Sequence, residues 1–239
     1  MATCDSAAQA AQSETHKAAT IQASTEDYRK GDFKAAYDRL LPLAEGGDGE
    51  AQLWIGTLTM EGQGVKSDSK AALNWFLRAA EAGQVQAKAN AGALLLMGAP
   101  TDDEKQKAIG LLADAAEAGD VNSLFNLGVI YQQGEHVPQD EAKAAACYKK
   151  ASEQGHYPSQ SRLGYMYAHG QGLPKDRVQA YLWLTLAAQH GIGTALNALE
   201  GVVKAMSADE KAEGMALFNS WRSRTVGFSG PGRLVPIPD

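Results

Sequence analysis

The chain has very little from which a catalytic or metal site could be built. Its 239 residues include two cysteines, Cys4 and Cys147, and five histidines, of which no two are four residues apart. The sequence contains no HExxH, CxxC or GxSxG motif, no Walker loop and no dinucleotide-binding fingerprint. We therefore predict that the protein is not an enzyme and that it binds no metal and no cofactor.

Charge and hydropathy argue against two further classes. The net charge is −6 without any run of lysine and arginine, so we expect no nucleic-acid partner. The sequence has no stretch of about 18 apolar residues, so we predict no transmembrane helix. The first twenty residues also lack the apolar core of a signal peptide. The sequence is consistent with two cellular locations. We expect the cytoplasm if the chain is complete as given, and the periplasm or cell envelope if a leader has been removed before Cys4.

Alanine and glycine are abundant, aromatic residues make up only 7%, and this balance favours close-packed helices over strands. The glycines also recur with a fixed period of 36 residues, which indicates stacked structural repeats. Two glycine columns have this spacing: Gly56, Gly92, Gly128 and Gly164, and then Gly83, Gly119, Gly155 and Gly191.

Each period contains two helical patterns. In the third, Leu124, Leu127 and Tyr131 share one helix face, and the recurring glycine on that face predicts a close crossing of two helices. Gly134 supplies the left-handed exit from the first helix, and Asp140 marks the start of the second. The unit is therefore predicted to be a helix–turn–helix.

The blocks Gly62-Gln-Gly-Val65 and Lys70-Ala-Ala-Leu-Asn-Trp-Phe76, with their later copies, resemble Sel1-like repeats, which are relatives of the tetratricopeptide repeat. The resemblance covers about residues 28–222. It implies a bacterial protein with an all-α fold, a right-handed α/α superhelical solenoid of helix-turn-helix repeats. The second repeat departs from the pattern, because Gly98-Ala-Pro-Thr101 replaces the usual loop.

The resulting domain prediction has five parts. They are a flexible polar tail (1–16), an N-terminal helical half-repeat (17–50), four repeats (51–86, 87–122, 123–158 and 159–194), C-terminal capping helices (195–222) and a Gly/Pro-rich tail (223–239). Cys147 occupies the inward column of Trp75 and Trp183, so we expect a buried structural thiol there.

The first helix of each repeat in such a solenoid lies on the concave side, where we expect a partner protein or peptide to bind. Asparagine and arginine can bond an extended backbone, and aromatic residues and Met offer apolar contact. Asparagines in this column could equally bond neighbouring helices. The predicted partner-binding residues are Trp54, Asn90, Asn126 and Arg162 in one column, Glu61, Met97, Gln133 and His169 in a second, and Tyr165 in a third.

From these observations we predict that the protein is a non-catalytic protein–protein interaction module: an adaptor, scaffold or inhibitor. We expect it to be monomeric by itself. An immunity protein against a secreted effector is one form, since the charge of −6 would suit a basic toxin surface. One alternative is a structural protein or lipoprotein of the cell envelope, attached through Cys4. A remote alternative is a hydrolase of cell-wall material or β-lactams, as proposed for some cysteine-rich relatives.

Overall fold

The computed structural model describes residues 2–97 and 100–226, and within these ranges the chain forms twelve α-helices and no strand. Successive helices pack against each other within each half of the chain, so the predicted all-α repeat solenoid is confirmed. The helices are α1 (Ala2–Arg29), α2 (Phe33–Glu45), α3 (Gly49–Glu61), α4 (Ser69–Glu81), α5 (Val85–Leu95), α6 (Asp102–Glu117), α7 (Val121–Gln133), α8 (Glu141–Glu153), α9 (Tyr157–His169), α10 (Arg177–Gln189), α11 (Gly193–Ala205) and α12 (Ala208–Val226). None of these helices is both long enough and apolar enough to cross a membrane.

The chain divides into two compact units, Met1–Ala118 and Gly119–Asp239. The first unit contains α1 to α6, and its main core includes Leu40, Ile55 and Leu58. The second contains α7 to α12, with a core around Tyr148 and Trp183. Helix α12 packs on α10, where it closes this second core.

Aspartates start several of the helices, and they do so from the N-cap position. The carboxylate of Asp140 accepts a hydrogen bond from the backbone N–H of Lys143 at 2.9 Å, and Asp176 accepts one from Gln179 at 2.9 Å. Each bond satisfies a backbone donor that has no partner inside the helix. The predicted helix start at Asp140 is confirmed, and Asp140 is the N-cap residue just before the first turn.

The second repeat begins its helix in another way. Thr101 is the N-cap of α6, and Glu104, which lies 36 residues before Asp140, follows three residues later. The Thr101 backbone N–H donates to the Glu104 carboxylate at 2.8 Å, and the Glu104 N–H donates to the Thr101 hydroxyl at 3.3 Å. This reciprocal capping box replaces the aspartate cap.

The first glycine column marks the points where the two helices of a pair cross. A Cβ added at Gly56 would lie 2.7 Å from the ring of Phe76, and one at Gly128 would lie 2.6 Å from the ring of Tyr148. Real Cβ contacts are not this short, so only glycine allows these helices to approach so closely. The close crossing predicted from the glycine column is confirmed.

Two buried glutamines connect the first helix of a repeat to the helix before it. The amide nitrogen of Gln52, at the start of α3, donates to the carbonyl of Ala44 in α2 at 3.0 Å. Gln160, at the start of α9, donates to the carbonyl of Ser152 in α8 at 3.2 Å. Both carbonyls belong to the last turn of a helix, where intrahelical donors run out.

The chain ends differ in part from the predicted organisation. Helix α1 runs without interruption from Ala2, so it includes most of the segment 1–16 for which we predicted a flexible tail. That segment is rich in alanine, the strongest helix former, and it continues a helix whose later turns bury Ile21. At the other end α12 extends to Val226, and the rest of the predicted tail, residues 227–239, lies outside the described residues.

We predict that Gly56→Ala lowers the free energy of unfolding by about 1–3 kcal/mol, because its new methyl group must displace the ring of Phe76. Gly110→Ala is the matched control in the same unit, since Gly110 is helical and exposed and has open space around its Cα. That variant should be about 0.5–1 kcal/mol more stable than wild type. Urea unfolding of both measures the difference, and equal stability of the two variants would contradict the close crossing.

Candidate functional site

A groove with a volume of about 1000 Å³ lies between α9 and α11 in the second unit. Both helices pack on α10 and they contact each other directly. Because short loops join the successive helices, α9 and α11 run in the same direction. Phe125, Pro158 and Ile192 line one end of the groove, and Lys175 and Arg177 line the other.

Three of the predicted partner-binding residues, Arg162, Tyr165 and His169, lie together on α9 and line this groove. All three are exposed, and Tyr165 retains 45% of its accessible surface, which is unusual for a large aromatic side chain. The sequence predicted these three residues from spacing alone, and partner binding by them remains a prediction.

The rings of Tyr165 and His169 form a stacked pair, with centroids 4.0 Å apart. Nδ1 of His169 lies 2.9 Å from the backbone oxygen of Tyr165. A carbonyl oxygen only accepts hydrogen bonds, so Nδ1 carries the proton and donates it. The imidazole is thereby held against the tyrosine, and its Nε2 edge is left for a further contact.

The remaining predicted residues lie outside the groove. Glu61, Met97 and Gln133 are exposed at or just beyond the ends of their helices, while Asn90 and Asn126 are half-buried within α5 and α7. The structure does not bring them to the surface formed by α9 and α11.

Trp54 differs from the other predicted residues because it also supports the core. Its ring meets that of Tyr28 edge-on, with centroids 5.4 Å apart, and it packs against the cluster that contains Leu40 and Ile55. Trp54 is therefore a stabilising residue of the first unit, whatever it contributes to binding.

The groove carries positive charge. Its lining includes Arg162, Lys175 and Arg177 and no aspartate or glutamate. Tyr148 lies close enough to Arg162 to feel its charge, but burial dominates and raises the pKa of Tyr148 to about 12. This tyrosine is therefore neutral at physiological pH, and its hydroxyl donates to the side-chain oxygen of Gln132 at 2.9 Å.

The other wall of the groove was missed by the sequence analysis, although a signal for it exists. The 36-residue step from Arg162, Tyr165 and His169 leads to three small residues of α11, and all three line the groove: Ala198, Gly201 and Ala205. Our prediction places residues 195–222 in capping helices outside the repeats. The period continues one step further, however, and pairs the long side chains of α9 with this row of small ones.

The groups that could support catalysis are few. Among residues 14–97 and 100–223, whose side chains the structure describes, no cluster of His, Cys, Asp and Glu is arranged to hold a metal ion. Cys147 is half-buried rather than fully buried. Burial raises the pKa of its thiol, while the charge of Lys150 acts in the opposite direction. This environment favours the unreactive thiol form at neutral pH.

Comparison with known proteins identifies the repeat. The profile of the Sel1 repeat matches residues 49–84, 85–120, 121–156 and 158–192, together more than half of the chain. The protective antigen c5321 of uropathogenic Escherichia coli, which displays an SLR fold, is 27% identical with a TM-score of 0.72; the similarity covers 85% of this chain and 46% of that one. A Sel1 repeat protein from Oxalobacter formigenes is 34% identical with a TM-score of 0.63, over 71% of this chain and 50% of its own.

The chain thus spans about half the length of these two proteins. No curated protein matches it.

We predict that Trp54→Ala and Arg162→Ala have different effects on stability. Loss of the half-buried indole should lower the free energy of unfolding by about 1–3 kcal/mol, since its contacts with Tyr28 and the core are removed. Loss of the exposed Arg162 side chain should change the free energy by less than about 0.5 kcal/mol. Urea titration followed by circular dichroism measures both, and Trp54→Phe is the control that keeps an aromatic ring.

We also predict slow alkylation of Cys147 by iodoacetamide in the native protein, measured in a Cys4→Ser background so that one thiol is followed. Because burial raises the pKa of this thiol, the thiolate fraction at neutral pH is small. The rate should rise when the protein is unfolded in urea and should keep rising with pH beyond the range of a free cysteine. A native rate equal to the unfolded one would contradict the burial.

Proposed function

Because the chain belongs to the Sel1 repeat family, whose members are generally protein-interaction modules, we propose that it is a non-catalytic adaptor, scaffold or inhibitor that binds a partner protein in the α9–α11 groove. The observation that carries this proposal is the exposed row of Arg162, Tyr165 and His169 along one wall of that groove. Arginine and tyrosine are enriched at the energetic centres of protein interfaces.

The shape of the groove supports the same conclusion. Long side chains of α9 face Ala198, Gly201 and Ala205 of α11, so space is left between the two helices. Aromatic rings such as Tyr165 supply a large contact area at a low entropic cost, because they have few rotatable bonds. The stacked His169 restricts that ring further. The wall is therefore preorganised for contact, which reduces the cost of binding.

An inhibitor of a secreted effector is one form that this function could take, and an envelope-attached scaffold is another. The two differ in what they require of Cys4, which lies in α1. An envelope lipoprotein needs a lipid on this cysteine, whereas an immunity protein does not. Mass spectrometry of the native protein distinguishes the two forms.

We predict that the double variant Arg162→Ala/Tyr165→Ala loses the partner captured by wild-type protein from a lysate of the source organism. The two substitutions remove a cation and a large apolar surface from the groove. The matched control Lys150→Ala/Met215→Ala removes the same kinds of group from exposed positions outside it. Quantitative mass spectrometry of the captured material measures the loss.

Both double variants should retain the helical circular dichroism spectrum and the thermal midpoint of wild type. A partner that remains bound to the groove variant, or is lost equally from the control variant, would contradict this site.

A further inference from the structure

The charge of the α9–α11 groove is opposite to that of the whole protein. The chain has a net charge of −6, whereas the groove lining includes three cationic side chains, Arg162, Lys175 and Arg177, and no carboxylate. Charge at the contact surface, rather than net charge, decides which partners are tolerated there, because like charges repel each other strongly when they are in contact.

Two of these cations are available to a ligand. Within the part of the chain that the structure describes, neither Arg162 nor Lys175 forms an ion pair, whereas Arg177 lies 3.3 Å from the carboxylate of Glu210. Arg162 is on α9, and Lys175 is in the loop that leads to α10. The groove therefore presents two separate positive charges to whatever enters it.

Apolar surface lies between these charges. Tyr165 is on one wall, and Ala198 and Val202 are on the other. Such a surface accommodates an apolar side chain, which the charged groups alone would not favour. A partner that matches both features carries acidic side chains on either side of an apolar one.

The length of the groove restricts the size of the segment that fits. The α9 residues that line it run from Pro158 to His169, a rise of about 16 Å along a helix. An extended chain covers this distance with about five residues. The groove thus suits a short extended segment better than the broad face of a folded domain.

We propose that the α9–α11 groove binds a short acidic segment of a partner protein, with carboxylates paired to Arg162 and Lys175 and an apolar side chain against Tyr165. This inference rests on the proposed function, since it names the chemistry of the segment that would occupy the same site. It also replaces our expectation of a basic toxin surface, which was drawn from the net charge alone.

A peptide array tests the proposal directly. Full-length protein labelled with a fluorophore is applied to randomised peptides about seven residues long, which exceed the span of the groove slightly. We expect enrichment of Asp and Glu around an apolar or aromatic position, and weaker binding at higher NaCl concentration, where exposed charges are screened. Enrichment of Lys and Arg, or no charge preference, would overturn the proposal.

Variants connect the selected peptides to the groove. Arg162→Gln and Lys175→Gln should each weaken binding of the best acidic peptide by about threefold to tenfold, measured by fluorescence anisotropy. Lys150→Gln removes the same charge from an exposed position outside the groove and should leave binding unchanged. Equal binding by all three variants would show that acidic peptides bind elsewhere, which also overturns the proposal.

The two proposals can fail separately. If the captured partner is lost with Arg162→Ala/Tyr165→Ala while the array shows no acidic preference, the groove binds a protein but not by the chemistry proposed here. If acidic peptides are selected and depend on Arg162 and Lys175 while no cellular partner depends on the groove, the chemistry is correct and the proposed function is wrong.

Discussion

The fold depends on a missing Cβ atom. In the four repeats a glycine of the first helix lies against a large side chain of the second where the two cross, as Gly56 does against Phe76 and Gly128 against Tyr148. Any other residue would separate the helices, and the tight packing around the crossing would be lost. Glycine inside a helix costs about 1 kcal/mol relative to alanine. The bulky partner offsets this cost by burying its apolar surface against the exposed backbone.

This contact also explains why a sequence period could reveal so much of the fold. The crossing requires a glycine at one point of each unit, and the helix starts require a capping side chain at another. Both requirements recur with the unit, so the helix pairs could be predicted. The second repeat shows the limit of the pattern, because its acidic residue, Glu104, caps together with Thr101 and not by itself.

The site was less predictable, for two physical reasons. Spacing alone does not tell an exposed side chain from one that packs on the core. The predicted set therefore joined Arg162 and Tyr165, which are exposed, with Trp54, which packs against Tyr28 and the core. The opposite wall is made of small residues, which carry no chemical signal of their own. It becomes visible only when the two helices are placed side by side. The cations from the loop and from α10, such as Lys175, likewise reach the groove only through the fold.

Because of the row of small residues on α11, the residues that stabilise the fold and the residues that would contact a partner are different ones. A side chain added at Gly201 would meet no atom within 4 Å, and the glycines at the crossings have no such space. Larger residues on α11 would therefore fill the groove without disturbing the core. Descendants of one ancestral chain could change the depth and polarity of this wall step by step and acquire new partners while every intermediate stayed folded. At Gly201 the choice of partner can therefore change without a change in the packing of the core.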